Sequence, residues 1–230
     1  MNFYFLTLFP QMIENYVSES IIKRAIENGI IGVKTLNIRD YSQNKHKKVD
    51  DYPYGGGAGM VMTPQPIYSA YEAVLEGEGI RNPHVVYLSP KGKTFDQDMA
   101  KRLSQKEDII FLCGHYEGVD QRIIDSIVTE EISIGDYVLT GGELPALVVM
   151  DATARMIPGV LGEQESFMDE SFMEGLLEYP HYTRPQEFMG MKVPDVLLSG
   201  NHKNIDEWRK EQSYAITRER RPELLKKGLK

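Results

Sequence analysis

The chain has 230 residues and a net charge of −8, which allows one large domain or one domain with a smaller one and argues against a general polyanion binder. Its single cysteine, Cys113, excludes an intrachain disulfide framework and a cysteine-based zinc site, which suits a reducing cytoplasm. No apolar run approaches the roughly 18 residues of a membrane helix, and residues 2–12 lack the basic leader of a signal peptide. We therefore expect a cytoplasmic protein without a membrane partner.

The first 158 residues alternate between strand-like and helix-like patterns. This order is typical of a doubly wound α/β domain with a parallel sheet. Strands are predicted at 2–9, 33–38, 84–88, 108–112 and 130–134, and helices at 13–27, 66–75, 95–103, 119–128 and 144–157.

Between the second strand and the next helix, residues 39–64 form a predicted loop with four glycines in five positions, Gly55 to Gly59. The loop lacks the GxxxxGK[ST] pattern, and it does not place GxGxxG between a strand and a helix, so it does not predict a phosphate cradle. The residues alone leave two interpretations open, a flexible surface loop and a functional lid.

Three predicted strands end at turns, namely at Ser89-Pro90, at Gly114 and at Gly135. In open parallel sheets, ligands bind at the carboxyl ends of strands. Glycine allows backbone to approach a ligand closely, so the turns at 114–118 and 135–142 are expected to form one pocket wall of backbone N–H and C=O groups if the strands that they follow are neighbours. Cys113 just before the first turn is interpreted as a small buried hydrophobe rather than a nucleophile.

The charge is unevenly distributed along the chain. Residues 201–230 contain nine Lys or Arg against five Asp or Glu, a local charge of +4, so residues 1–200 carry −12. A basic tail on an acidic body permits nucleic-acid binding at one place, although charged terminal helices are usually just solvated.

Two segments carry a family resemblance. Gly-His-Tyr-Glu-Gly at 114–118 and the twelve residues Ile-Gly-Asp-Tyr-Val-Leu-Thr-Gly-Gly-Glu-Leu-Pro at 134–145 closely resemble the signature of the bacterial tRNA (guanine-N1)-methyltransferase (TrmD) family. Members of that family are knotted, S-adenosylmethionine-dependent methyltransferases of the SPOUT type. The resemblance implies an α/β parallel-sheet domain whose C-terminal part, around 113–145, forms a trefoil knot, followed by a small α-helical domain.

The expected boundaries are 1–160 for the knotted, S-adenosylmethionine-binding domain, 161–174 for a flexible connector and 175–230 for a helical tRNA-binding domain. The implied reaction is methyl transfer from S-adenosylmethionine to N1 of the guanosine at position 37 of tRNA. The family is homodimeric, with its site between two subunits, and it suggests Mg²⁺ as an accompanying ion. Its methyl-donor pocket matches Leu88, Pro90, Gly114, Tyr116, Glu117, Gly118, Ile134, Gly135, Tyr137, Leu139, Gly141, Gly142 and Pro145.

Methylating guanine N1 requires a base for the departing proton and a donor near O6. The arginine that lies near the guanine in this family matches Arg155. An i,i+4 ion pair with Asp151 is the alternative role for this arginine, and the two roles are compatible. For the base, the family has an aspartate before Ser-Phe, whereas this chain has Glu170 there and Asp169 one residue earlier. Register favours Glu170 and residue type favours Asp169, and both stay open.

The family's tRNA-facing segments match the glycine-rich loop, the residue before Pro-His-Tyr-Thr-Arg-Pro, and the basic tail. Lys or Arg side chains that neutralise phosphates make binding salt-dependent. The predicted RNA-binding residues are Asp50, Gly55, Gly56, Gly57, Gly59, Met60, Glu178, His202, Arg209, Arg218 and Arg220.

Two other functions are compatible with parts of the sequence. One is a knotted methyltransferase that acts on another RNA base or on a ribose hydroxyl. The other is a non-catalytic RNA-binding relative, which only the replacement of the aspartate by Glu170 supports.

Overall fold

The computed structural model describes residues 1–161, 171–172 and 175–227, and the chain divides into two compact units, Met1–Gly162 and Glu163–Lys230. The first unit contains a five-stranded sheet made of β1 (Asn2–Thr7), β2 (Gly32–Asn37), β5 (His84–Thr94), β6 (Asp108–Leu112) and β7 (Glu130–Ser133). The strands lie in the order β2-β1-β6-β5-β7, and each neighbouring pair is parallel. The predicted α/β architecture with a parallel central sheet is confirmed.

Helices cover both faces of this sheet. One apolar cluster contains Phe3, Phe5 and Phe111 from the sheet, and the other contains Tyr4 and Leu112 from its opposite face. Strands β1 and β6 are therefore buried on both sides, as expected for central parallel strands. Helices α1 (Pro10–Val17), α2 (Ser20–Glu27), α4 (Gln97–Leu103) and α6 (Glu143–Ala154) contribute to the first cluster, and α3 (Pro64–Glu78) and α5 (Gln121–Ile127) to the second.

The single helix predicted over 13–27 is wrong, because two shorter helices, α1 and α2, occupy residues 10–27. Ser20, the first residue of α2, has φ +54, a left-handed value that interrupts the helical path. The apolar spacing continues across the break, since Ile13 in α1 and Ile22 in α2 are both buried in the same cluster. Periodicity therefore identified the buried face but not the turn between the helices.

The prediction that the third strand ends at Ser89-Pro90 is also wrong. Strand β5 continues to Thr94, and both Leu88 and Lys93 pair with Ile132 of β7, so residues 89–92 form a bulge. Gly92 makes this bulge sterically feasible, because a Cβ at that position would lie 2.5 Å from the carbonyl carbon of Glu131. The bulge places Ser89 and Pro90 at the carboxyl end of the sheet, while the strand itself continues.

Helix α6 ends at Ala154 rather than at Ile157. Val148 is 49% exposed, whereas its neighbours Val149 and Met150 are fully buried. Asp151, proposed as a partner of Arg155, accepts a hydrogen bond from the hydroxyl of Tyr16. The helix is so apolar throughout that spacing alone could not identify which side faces the core.

The predicted loop at 39–64 is more ordered than its glycine content suggested. It contains a 3₁₀ turn at Ile38–Tyr41 and a two-residue antiparallel pair, β3 (Asp50–Asp51) with β4 (Val61–Met62). Met62 is fully buried against the second apolar cluster. Residues 50–63, here called the 50–63 loop, are therefore held at both ends by backbone pairing, and the choice between a surface loop and a functional lid stays a prediction.

The second unit has its own small framework. Thr217, fully buried, accepts a hydrogen bond at Oγ1 from the backbone N–H of Leu177 at 2.8 Å. The predicted helix over 203–220 is present as α8. The unit contains β8 (Glu187–Phe188), β9 (Met191–Lys192), α7 (Asp195–Leu198), α8 (His202–Arg220) and α9 (Pro222–Lys227).

Among the described residues, no helix combines the length and the apolarity needed to cross a lipid bilayer.

We predict that Gly92→Ala destabilises the protein by about 1–3 kcal/mol, because the added methyl group meets the backbone of β7. Gly77→Ala is the matched control. Gly77 lies in α3, and a Cβ at that position would meet no other group within 4 Å. Alanine should therefore stabilise the helix by about 0.5–1 kcal/mol. Urea denaturation of both variants checks this, and a neutral Gly92→Ala would contradict the close packing of the bulge.

Candidate functional site

A cavity of about 380 Å³ lies at the carboxyl end of the sheet. The 89–92 bulge of β5, the 114–118 turn after β6 and the 134–142 turn after β7 surround it. This is the edge at which parallel sheets bind ligands. All thirteen residues predicted for the donor pocket border the cavity, namely Leu88, Pro90, Gly114, Tyr116, Glu117, Gly118, Ile134, Gly135, Tyr137, Leu139, Gly141, Gly142 and Pro145.

The 114–118 turn owes its shape to two left-handed residues. Tyr116 has φ +59 and Gly118 has φ +129. The turn closes through a hydrogen bond from the N–H of Gly118 to the carbonyl of His115 at 3.1 Å. A non-glycine residue with positive φ is uncommon, and such strain concentrates at functional sites.

The 134–142 turn packs directly on the end of β6. A Cβ on Gly142 would lie 2.7 Å from the Cα of Cys113, and the N–H of Gly142 donates to the carbonyl of Gly114 at 2.9 Å. Only glycine permits this approach of two backbones. The two glycine turns therefore form one continuous surface.

The 50–63 loop is attached to the outer side of the 114–118 turn. The N–H of Glu117 donates to the carbonyl of Met60 at 2.9 Å, and the N–H of Met62 donates to the carbonyl of Gly118 at 2.9 Å. Gly59 lies against the side chain of Glu117, since a Cβ there would be 2.5 Å from its Cγ. The structure thus brings Gly59 and Met60, predicted to face RNA, next to the cavity.

The remaining loop residues of that prediction are farther out. Asp50 pairs with Met62 in the short β3–β4 ladder. Gly55, Gly56 and Gly57 all have positive φ, and open space surrounds the Cα of each. These three glycines shape an exposed tip, and their role in RNA binding stays a prediction.

Cys113 is completely buried at the end of β6. Burial, with the nearby carboxyl group of Glu143 as a second cause, raises the pKa of its thiol well above the usual value. A thiol attacks as the thiolate, so this residue has neither the ionisation nor the access of a nucleophile. The interpretation of Cys113 as a core residue is confirmed.

Of the three residues proposed for catalysis, Arg155 is among the described residues. Glu170 and Asp169 lie outside the described residues. Arg155 follows the last turn of α6, where its N–H donates to the carbonyl of Asp151 at 3.0 Å. The structure therefore fixes the position of the arginine and leaves the assignment of the base as a prediction.

In the second unit, the predicted RNA-binding residues are distributed along α8 and the segment before it. Glu178 forms an ion pair with His181 at 2.9 Å. The guanidinium of Arg209 lies 4.9 Å from the centre of the Tyr179 ring, and its Nε is buried without a hydrogen-bond partner. His202 begins α8, and Arg218 and Arg220 are exposed in its last turn.

Sequence reasoning missed a hydrogen-bonded group beneath the cavity. Glu143 is 1% exposed, and its carboxylate contacts the hydroxyl of Thr7 at 2.6 Å and Nε2 of His115 at 2.7 Å. A carboxylate in the first turn of an otherwise apolar helix was the available signal, because a buried charge requires partners.

Exposed aromatic residues of the 50–63 loop were missed as well. Tyr52 is 77% exposed and Tyr54 is fully exposed. Nearby, Arg39 donates to the hydroxyl of Tyr116 at 3.5 Å, a weak contact that joins the 3₁₀ turn to the cavity. A Pro-Tyr-Gly sequence in a glycine-rich loop was the signal for an exposed ring.

No group of three His, Cys, Asp or Glu side chains suited to a metal ion occurs within residues 1–161, 171–172 and 175–227.

Comparison with known proteins finds a family and relatives that match almost the entire chain. A family model described as tRNA (Guanine-1)-methyltransferase TrmD matches residues 1–227. A protein of Clostridioides difficile (strain 630) named tRNA (guanine-N(1)-)-methyltransferase is 66% identical over 228 residues, covering 99% of each chain. Proteins of the same name from Alkaliphilus oremlandii and Ruminiclostridium cellulolyticum are 62% and 59% identical, covering 96% and 99% of this chain and 90% and 97% of the relatives. This chain belongs to the tRNA (guanine-1)-methyltransferase TrmD family.

Proposed function

We propose that this protein transfers a methyl group from S-adenosylmethionine to N1 of the guanosine at position 37 of tRNA. The observation that carries the proposal is the cavity, because every residue that the family resemblance assigns to the donor surrounds it. The identity of 66% to a named tRNA (guanine-N(1)-)-methyltransferase supports the same reaction.

The cavity has the properties that a methyl donor of this kind requires. Its volume of about 380 Å³ falls within the range of cofactor sites. The backbone of the 114–118 and 134–142 turns would hold the adenosine through N–H and C=O groups, and the lining also contains the charged residues Glu117, Glu131 and Lys91. When bound, S-adenosylmethionine supplies an electrophilic methyl carbon on a positively charged sulfur.

The chain's own residues must then manage the proton and the charge of guanine. Glu170 or Asp169 would accept the N1 proton, while the guanidinium of Arg155 would stabilise the negative charge that develops on O6. The N1–carbon bond forms as the carbon–sulfur bond breaks, which leaves S-adenosylhomocysteine, the methylated guanosine and a protonated carboxyl group. Fixed positioning of the two reactants supplies much of the rate enhancement.

The tRNA would contact the protein through the 50–63 loop and the basic tail. Gly59 and Met60 border the turn that lines the cavity, and Arg218 and Arg220 are exposed on α8. Exposed guanidinium groups suit phosphate contacts, so binding should weaken with salt. We place the reaction in the cytoplasm, with Mg²⁺ as an accompanying ion suggested by the family.

The finer architecture is part of the same proposal. We assign residues 1–160 to a knotted, S-adenosylmethionine-binding domain, 161–174 to a connector and 175–230 to a helical tRNA-binding domain. The trefoil knot is proposed from the family resemblance, and the contact of Gly142 with Cys113, which brings the chain back onto the end of β6, is compatible with it.

A homodimer is supported by an apolar surface on α1 and α6. Met12, Tyr16, Leu144 and Val148 are each at least 40% exposed there, although the two helices pack together. Charged residues usually occupy an exposed helix face, so an apolar face favours a second copy as its cover.

We predict that Val148→Asp shifts the protein from dimer to monomer, because it places a charge in the apolar surface. Tyr68→Asp on α3, at the opposite face of the sheet and 42% exposed, is the control and should leave the mass unchanged. Sedimentation velocity measures this, against a chain mass of 26.2 kDa. A monomeric wild-type protein would contradict the proposed homodimer.

The direct test is methyl transfer from labelled S-adenosylmethionine to an unmodified tRNA with G at positions 36 and 37. We expect label in this tRNA and none in the same tRNA with A at 37. Glu170→Ala and Asp169→Ala, assayed separately, should differ, with a loss of about 100-fold or more in the variant that lacks the base.

Other outcomes would change the assignment. Label in both tRNAs would indicate another base or a ribose hydroxyl as the target. Donor binding without transfer to either tRNA would favour a non-catalytic RNA-binding role. Full activity in both carboxylate variants would remove the proposed base while leaving the reaction intact.

We also predict that Gly59→Ala weakens S-adenosylmethionine binding about fivefold to tenfold, because the new methyl group must displace Glu117 from the cavity lining. Gly56→Ala is a matched control, since Gly56 has φ +79 against +82 for Gly59 but has open space around it. Both variants therefore carry the same backbone strain. Isothermal titration without tRNA distinguishes them, and equal affinities would show that Glu117 is not held in place by Gly59.

A further inference from the structure

Glu143 is the most deeply buried charged residue among those described in the first unit, and the proposed chemistry does not use it. Its Oε1 accepts from the Thr7 hydroxyl at 2.6 Å, and its Oε2 lies 2.7 Å from Nε2 of His115. A buried carboxylate is retained only when its oxygens are satisfied. Here each oxygen is satisfied by a different segment of the fold.

The three partners come from three distant parts of the chain. Thr7 is the last residue of β1, His115 belongs to the 114–118 turn, and Glu143 begins α6 directly after the 134–142 turn. Thr7 is itself fixed, because its Oγ1 accepts from the N–H of Phe9 at 2.9 Å. The group therefore ties both cavity-lining turns to β1, an interior strand of the sheet.

His115 is held firmly in this arrangement. Its side chain is 14% exposed, and its ring packs edge-on against that of Phe9 with 4.9 Å between the ring centres. The backbone N–H of His115 donates to Sδ of Met62 at 3.2 Å. With Oε2 as acceptor, Nε2 carries the proton. His115 is among the residues that line the cavity, whereas Glu143 is not.

The pair also supports the 134–142 turn from below. A Cβ on Gly141 would lie 2.2 Å from Cε1 of His115 and 2.8 Å from Oε2 of Glu143. The backbone of Gly141 thus rests on the hydrogen bond itself. The hydrogen bond therefore lies directly against the 134–142 turn and joins it to the 114–118 turn.

We propose that His115, through its hydrogen bond to Glu143, is a positioning residue that fixes the spacing of the two glycine turns for the methyl donor. The inference rests on the proposed function, because it takes the cavity as the donor site. The affinity for a ligand that is recognised by backbone groups depends on that spacing, because backbone donors and acceptors cannot adjust by changing rotamer.

The test compares two amide substitutions at position 115. The side-chain nitrogen of Gln reaches about as far as Nε2 of histidine, whereas that of Asn is shorter and corresponds to Nδ1. We expect His115→Asn to raise the dissociation constant for S-adenosylmethionine about tenfold and His115→Gln to recover most of this loss. The KM for the donor should follow the same order, while the KM for tRNA changes much less.

Glu143→Leu separates positioning from direct contact, because Glu143 does not border the cavity. Positioning predicts that Glu143→Leu weakens donor binding as much as His115→Asn and that the double variant is no weaker than either. Thermal denaturation is recorded for every variant, and binding is measured well below each midpoint. Should Glu143→Leu not fold, the comparison of the Asn and Gln variants still decides the question.

Three results would overturn the inference. They are an unchanged donor affinity in His115→Asn, an equal loss in the Asn and Gln variants, and an unchanged affinity in a folded Glu143→Leu. The second and third would indicate direct contact of the imidazole ring with the donor. Failure of the wild-type protein to bind S-adenosylmethionine would instead remove the proposed function, so the two failures are distinguishable.

Discussion

The contact on which the site depends is the approach of the Gly142 backbone to Cys113 and Gly114. With 2.7 Å between a hypothetical Cβ and the Cα of Cys113, no other residue fits without moving one of the two segments. The contact joins the turn after β7 to the turn after β6. Since β5 lies between β6 and β7 in the sheet, the bulge at 89–92 completes the enclosure. The cavity is thus a product of backbone packing more than of side-chain choice.

Sequence patterns predicted the sheet well, because its strands are buried and strongly apolar. Strand β6 has the predicted bounds, 108–112, and the two glycine turns lie together at one edge. The break between α1 and α2 and the continuation of β5 beyond Ser89 were not predictable. The bulge depends on the distant contact between Gly92 and β7, and the break depends on the left-handed φ of Ser20; neither leaves a local periodicity.

For the site, the family signature located the residues around the cavity, and elementary chemistry specified a base and a cation. The His115–Glu143–Thr7 group was missed because its members are 136 positions apart at the extremes, and the one local signal, a carboxylate in an apolar helix, does not identify its partners. The 50–63 loop was recognised by its glycines, but its hydrogen bonds to the 114–118 turn appear only in three dimensions. These bonds connect a predicted RNA-facing segment to the turn that lines the cavity, so the two predicted binding surfaces share one hydrogen-bonded wall.

The complete burial of Cys113 has a practical consequence. It is the only cysteine of the chain, and its thiol is inaccessible and has a raised pKa. A cysteine introduced at an exposed position such as Tyr54 would therefore be the one thiol that a maleimide probe can reach in the folded protein. Fluorophores or spin labels can be attached to this molecule without first constructing a cysteine-free background.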